Sequence, residues 1–195
     1  MVQRTYVQSR RAEAAAETRR RIVEATFTLH AEQGVAATSM KQIAERAGVS
    51  VGTVYHHFPT YDDAIAACGA HVFSLAPPPD ERVFENLTDP RERIAALFHA
   101  AYGQYRTVPM MEAARSDQHV SPVLRQVFAE EAQRRAGLAR QALGPAAEDR
   151  ELARLAAGLL DIGVWSALTR AGLTTEAAAR AMAEAVASRL PPNPS

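Results

Sequence analysis

Residues 39–58 read SMKQIAERAGVSVGTVYHHF, and the small polar residues and glycine that punctuate them decide the fold. The Ser39 hydroxyl can cap a helix start while Gln42, three residues on, reaches back to the same backbone. That helix has to end before Gly48, which supplies the left-handed backbone of a turn. Ser50 restarts the chain as a second cap, and a third helix runs to Phe58 and Pro59. Two short helices joined by Ala47-Gly48-Val49-Ser50 have the layout of a helix-turn-helix. Val51, Gly52 and Thr53 open the second of them with small side chains, so backbone can approach the floor of a major groove. Tyr55, His56 and His57 follow with hydrogen-bonding groups within reach of bases or phosphates.

The same punctuation carries outward and gives nine helical segments, with no strand alternation, hairpin turn or internal repeat. The first covers Glu13 to Gln33, places Ile22, Ala25, Thr26 and Leu29 on one face, and stops at Gly34. The fourth runs from Thr60 or Tyr61 to Ser74, ahead of Pro77-Pro78-Pro79, which cannot continue a helix. Asp89-Pro90 opens a fifth, to Thr107, by a cap followed by proline at the first helical position. A short sixth follows Pro109 and carries Met110 to Arg115. Ser121-Pro122 opens a seventh that ends at Gly144-Pro145. An eighth spans Ala147 to Ala171, and Thr174 or Thr175 caps a ninth that ends before Pro191, leaving the last five residues frayed.

Composition agrees with an all-α chain. Its 195 residues suit one compact domain or two small ones, and 40 alanines against 15 valines and 5 isoleucines favour helix over sheet. No apolar run approaches the roughly 18 to 20 residues of a membrane span, and Met1 to Arg21 is Arg-rich without the apolar stretch of a signal peptide. The expectation is a soluble, cytoplasmic chain that does not engage membranes. The single cysteine, Cys68, excludes an intrachain disulfide and a thiolate zinc site. The 22 basic residues, of which Lys41 is the one lysine, balance 22 acidic ones. From Met1 to Thr60, however, eight basic residues face five acidic ones, net +3. A modestly basic block of this kind suits a polyanion-facing module joined to something with another purpose.

From Thr18 to Ala67 the string TRRRIVEATFTLHAEQGVAATSMKQIAERAGVSVGTVYHHFPTYDDAIAA resembles the amino-terminal domain of the TetR family of transcriptional regulators almost position by position. The marks are Ile22, Ala25 and Gly34, then Thr38-Ser39-Met40 into Ile43-Ala44, Ala47-Gly48-Val49-Ser50, and Gly52-Thr53-Val54-Tyr55-His56-His57-Phe58 with the Pro and Thr that follow. The resemblance covers about a third of the chain, and the remainder matches in length and order of helices.

The resemblance implies a nine-helix, two-domain fold, with a helix-turn-helix DNA-binding domain over residues 13–62 and a helical ligand-binding and dimerisation domain over 63–195. Residues 63–76 would connect the two. It implies a bacterial homodimer that binds an inverted repeat in double-stranded DNA, usually as a repressor, and is released by a small-molecule effector. The last two helices would pack against their copies. Lys41, Val51, Gly52, Thr53 and His56 take the family's groove-facing positions, and Ser39, Tyr55, His57 and Tyr61 the positions where phosphates are held. Two departures stand out. Position 51 holds Val where a polar or basic residue is common, and position 61 holds Tyr where the family usually has Lys. A phenol releases no counterion, so a shallower salt dependence is expected, with Arg10, Arg11, Arg19 and Arg20 compensating. His30 replaces a core aromatic and reads as a packed histidine.

Between Ile94 and Leu168, Phe98, Tyr102, Tyr105, Met110, Met111, Phe128 and Trp165 combine large apolar walls with few polar groups, the makeup of a small-molecule pocket. Arg115 and His119 would be its polar handles. Plain helical core is the competing reading of the same aromatic stripe. Ala177, Ala181, Met182, Ala185, Val186 and Ala187 on the ninth helix, and Ala153, Ala156, Ala157, Leu160 and Val164 on the eighth, allow the close approach a four-helix dimer interface needs.

Motifs for catalysis are missing: there is no GxSxG, HExxH, GxGxxG or phosphate-binding glycine loop. His56 and His57 point about 100° apart on a helix and make no chelate. Asp62 and Asp63 complement a helix dipole without a metal. No enzyme activity, cofactor or metal is expected. The alternatives are an activator, or a ligand-binding or protein-binding module of this fold that does not read DNA.

Overall fold

The caps foreseen at Ser39, Ser50, Asp89, Ser121 and Thr174 form as side-chain to backbone hydrogen bonds in the computed structural model, and Thr60, expected only as a helix start, forms one too. It describes residues 2–108 and 110–191, so the stop at Pro109 and the fraying of the terminal residues 192–195 lie outside the described residues.

Helix α1 spans Val2–Gln33 and begins well before Glu13. Residues 10–20 carry no apolar periodicity and lie almost wholly on the surface, yet nothing there breaks a helix, and Arg20 bonds Glu17 and Glu24 along one face. Helix α2, Met40–Ala47, starts in a complete Ser39–Gln42 capping box and ends at Gly48, whose φ of 64° is left-handed. The α2 end is held from outside by Arg21, whose guanidinium donates to the Ala47 carbonyl. Helix α3, Val51–His57, starts where the Thr53 amide donates to Ser50 Oγ at 3.0 Å. Helix α4, Tyr61–Leu75, opens in a second capping box, Thr60 with Asp63.

Helices α5 (Pro90–Thr107), α6 (Met110–Ser116) and α7 (Pro122–Leu143) follow the sequence reading closely. The expected eighth helix is two helices, α8 (Arg150–Leu159) and α9 (Ile162–Arg170), bent by 58° from each other. Asp161 caps the new start by accepting from the Gly163 amide at 2.9 Å. The carbonyls freed at the bend are taken by two phenols of α5: Tyr102 donates to Leu159 at 2.7 Å and Tyr105 to Leu160 at 2.8 Å. With α10 (Thr175–Ala187) the described residues therefore form ten α-helices and no strand.

Two apolar cores result. The first joins α1 to α3 through Ile22, Leu29, Ile43, Ala47, Val54 and Phe58, and takes Ala64 from α4. The second fills the space between α5, α7, α8, α9 and α10 with Ile94, Phe98, Tyr102, Leu143, Leu160 and Val186, and takes Cys68 and Val72 from α4. Helix α4 thus belongs to both. A small third cluster, Val35, Ile65 and Leu124, lies at their junction.

Candidate functional site

Val54 and Phe58, one helical turn apart, are buried against α1 and α2, which leaves the opposite side of α3 open among the described residues. Val51 is 38% and Tyr55 50% exposed, and Gly52 and His56 are exposed beside them. Large apolar side chains held open in this way are unusual among the described residues, where Leu75 and Val120 are the other two. Lys41, on α2, is exposed and makes only a loose contact to Glu45 at 3.9 Å. Thr53 is half-buried, its hydroxyl 2.8 Å from Ser50 Oγ. Ser39 commits its hydroxyl and its amide to Gln42, so its contact with a phosphate would compete with the capping box. His57 is half-buried; partial burial, then the neighbouring His56 and Arg19, lower its pKa and favour the neutral ring.

Tyr61 departs from its expected role. Its hydroxyl donates to the Val35 carbonyl at 2.7 Å and lies 3.0 Å from His30 Nε2, so the phenol is used up inside the protein and is not placed to hold a phosphate. Burial raises its pKa. His30 is 3% exposed, and desolvation lowers its pKa to about 4 although Asp117 opposes the shift. It is a packed neutral histidine. The compensating arginines are also partly committed, since Arg20 pairs with Glu17 and Glu24, and Arg19 lies 4.9 Å over the Phe58 ring.

The carboxy-terminal candidates separate into three groups. Phe98, Tyr102 and Tyr105 are solid core, closed off by the hydrogen bonds at the α8–α9 bend. Trp165 packs on Tyr105 at 6.0 Å and donates to Thr175 at 3.3 Å; Arg115 is paired with Asp161 at 3.1 Å; His119 is exposed and bonds the Ser116 carbonyl. None of these six lines the pocket at the junction of the two cores, whereas Met110, Met111 and Phe128 do. They share a cavity of about 60 Å³ with His30 and Val35 from the amino-terminal domain and with Ile65, Cys68 and Val72 of α4. Burial pushes the Cys68 thiol up to about 12, so it is a neutral wall group. Sequence reading missed Cys68, Glu131 and Asp117. Asp117 accepts from the Ala36 amide at 2.9 Å and Ser121 donates to Asp62 at 2.5 Å, two bonds that tie the turn after α6 to the amino-terminal domain. No local signal marks such contacts between distant residues.

A helix-turn-helix with an open recognition face, joined by a shared helix to an all-helical bundle, defines the class. Residues 22–68 match the family model described as bacterial regulatory proteins, tetR family. In sequence, the chain is 46% identical over 48 residues to the transcriptional repressor KstR of Mycolicibacterium smegmatis, covering 25% of this chain and 24% of that protein. It is 36% identical over 86 residues to the regulator HbdR of an Aromatoleum species, covering 44% of this chain and 36% of that one. These matches span between a quarter and two fifths of the relatives' length. The fold extends further: the solved multidrug binding protein EbrR, complexed with imidazole, superposes with a TM-score of 0.63 at 26% identity, over 92% of each chain. A transcriptional regulator from Rhodococcus sp. Rha1 does so at 0.62 and 27%, over 87% of this chain and 94% of that one. Residues 22–68 thus match the amino-terminal domain of the TetR family, and the chain as a whole is similar in fold to solved regulators.

Proposed function

We propose that this chain is a DNA-binding transcriptional repressor that reads an inverted repeat as a homodimer and is released by a small molecule. The observation that carries this reading is the α3 face, held open by the burial of Val54 and Phe58 behind it. Lys41, Val51, Gly52, Thr53 and His56 would face the groove, with Tyr55, His57 and the Ser39 amino end of α2 beside the phosphates. Tyr61 is left out of that set. Chemistry at a reacting centre has no part in the proposal.

For the dimer, the buried Ala153, Ala156, Leu160 and Val186 serve the protomer's own core. The outward stripe Ala177, Ala181 and Ala185 on α10, with Val164 and Leu168 on α9, is what remains for a partner. The repressors matched in sequence and the multidrug binder matched in fold support regulation by a ligand.

The deciding experiment is selection of bound fragments from random double-stranded DNA by the purified protein, followed by sequencing. Enrichment of an inverted repeat is the expected result. No enrichment at low salt, with a dimer in solution, would move the reading to a ligand-binding module that leaves DNA alone.

A further inference from the structure

The junction cavity has one acidic group on a wall that is otherwise almost wholly apolar. Its lining draws on both halves of the molecule: His30 and Val35 on one side, Met110, Met111 and Phe128 on the other, with α4 between them. Glu131 of α7 is the one charged residue that lines it, and it is only 9% exposed. Both carboxylate oxygens are held by Arg134, which lies outside the lining and also donates to the Pro79 carbonyl. His30 adds no positive charge, since burial keeps it neutral. A ligand placed there would meet soft apolar walls and a carboxylate whose present partner, Arg134, is not part of the lining.

We propose that this cavity is the effector site of the regulator and that it selects compact hydrophobic molecules bearing a basic nitrogen. The inference rests on the reading of the chain as a ligand-responsive regulator. A cation entering against Glu131 gains a charge-assisted hydrogen bond in largely apolar surroundings, whereas an anion would have to sit beside a carboxylate. At about 60 Å³ the space falls well short of the roughly 300 Å³ from which ligand sites usually run. Entry therefore requires the thioethers of Met110 and Met111 to swing aside, which their flexible unbranched chains allow. Opening this space pushes on α1 through His30 and on the turn after it through Val35, so the bound state need not signal through α4 alone.

Three aromatic probes of matched size test the charge preference: phenethylamine, phenethyl alcohol and phenylacetate. Their affinities are measured by calorimetry on the full chain, and their location by variants of two residues that line the cavity, Glu131 and Gly69. The amine is expected to bind roughly tenfold or more tightly than the alcohol, and the acid least. Glu131→Gln should bring amine and alcohol together. Gly69→Val, which puts methyl groups into open space on the cavity wall, should weaken all three, with melting curves checking that both variants fold. Equal affinity for amine and alcohol, preference for the acid, no binding, or binding unchanged in Gly69→Val each overturns the proposal. DNA selection is read separately, so failure here leaves the repressor reading standing, and failure there leaves this site standing.

Discussion

The Asp117 carboxylate accepts a hydrogen bond from the Ala36 amide at 2.9 Å, joining residues 81 positions apart across the two halves of the molecule. The same oxygen lies 2.8 Å from where a side chain at Gly34 would begin, and Gly34 has a left-handed φ of 85°. Gly34→Ala therefore meets two penalties, backbone strain of roughly 1 to 2 kcal/mol and a clash with Asp117. Asp117→Ala on its own should cost about 1 to 2 kcal/mol through the orphaned amide. In the Asp117→Ala background, Gly34→Ala should cost less than in the parent, because the clash is gone and the strain remains. Denaturant midpoints of the four proteins measure this coupling, and equal costs in both backgrounds would mean the carboxylate does not press on Gly34.

His30 gives the fold a one-sided pH dependence. Its pKa is about 4 in the folded chain against 6.5 as the ordinary value, because burial penalises the charged ring more than Asp117 favours it. Between those values the unfolded chain takes up a proton that the folded chain does not. Stability should be flat above about pH 6.5 from this group and fall by roughly 3 kcal/mol towards pH 4. The groups facing the ring are Tyr61, Asp117 and, across the cavity, Cys68 and Glu131. His30→Phe should lower stability at pH 7, through the lost contact with the Tyr61 hydroxyl, and flatten the decline below pH 6.5. A decline of unchanged steepness would assign it to the carboxylates.

Much of this fold is legible in the sequence because helix boundaries are local. Ser39 with Gln42, Thr60 with Asp63, and Asp89 with Pro90 state their hydrogen bonds within three residues. The α8–α9 bend is not local: it depends on Tyr102 and Tyr105, more than fifty residues away. The recognition face is legible for the same reason as the caps, since Val54 and Phe58 at helical spacing turn Val51, Gly52, Tyr55 and His56 outward. The cavity is not. Aromatic spacing points to Tyr102 and Tyr105, which are filled core, while the open space depends on how Val35 from the turn after α1, Cys68 of α4 and Glu131 of α7 meet. Tyr61 shows the limit within a single residue, because its family position suggests phosphate while its hydroxyl is aimed at Val35.

That difference makes salt dependence a test of the DNA-facing set. Each phosphate contact by a cation contributes close to one to the slope of log affinity against log salt, so Lys41→Ala should reduce the slope by about one if Lys41 holds a phosphate. If it reads a base instead, affinity falls for one sequence and the slope changes less. Tyr61→Phe should leave the slope as it is and cost about 1 kcal/mol of folding stability, through the lost bond to Val35. Fluorescence anisotropy on the selected operator at several salt concentrations, with a melting curve for each variant, separates the two residues. A slope that moves with Tyr61→Phe would restore the phenol to the phosphate set.

Tyr102 and Tyr105 make the last case, in which two residues with the composition of a ligand pocket act as caps. The 58° break between α8 and α9 leaves the Leu159 and Leu160 carbonyls without helical donors, and the phenols supply them at 2.7 and 2.8 Å. Tyr102→Phe and Tyr105→Phe keep the ring packing and remove one donor each. Each should therefore cost about 1 to 3 kcal/mol, the penalty of a buried acceptor left unpaired. Both rings lie in the same core, 6.1 Å apart, so the double variant is expected to depart from additivity. Neither variant should change the binding of phenethylamine, because neither side chain lines the junction cavity. Unchanged denaturant midpoints would mean that the carbonyls at the bend find other donors, and weakened amine binding would put the two phenols back in the ligand site.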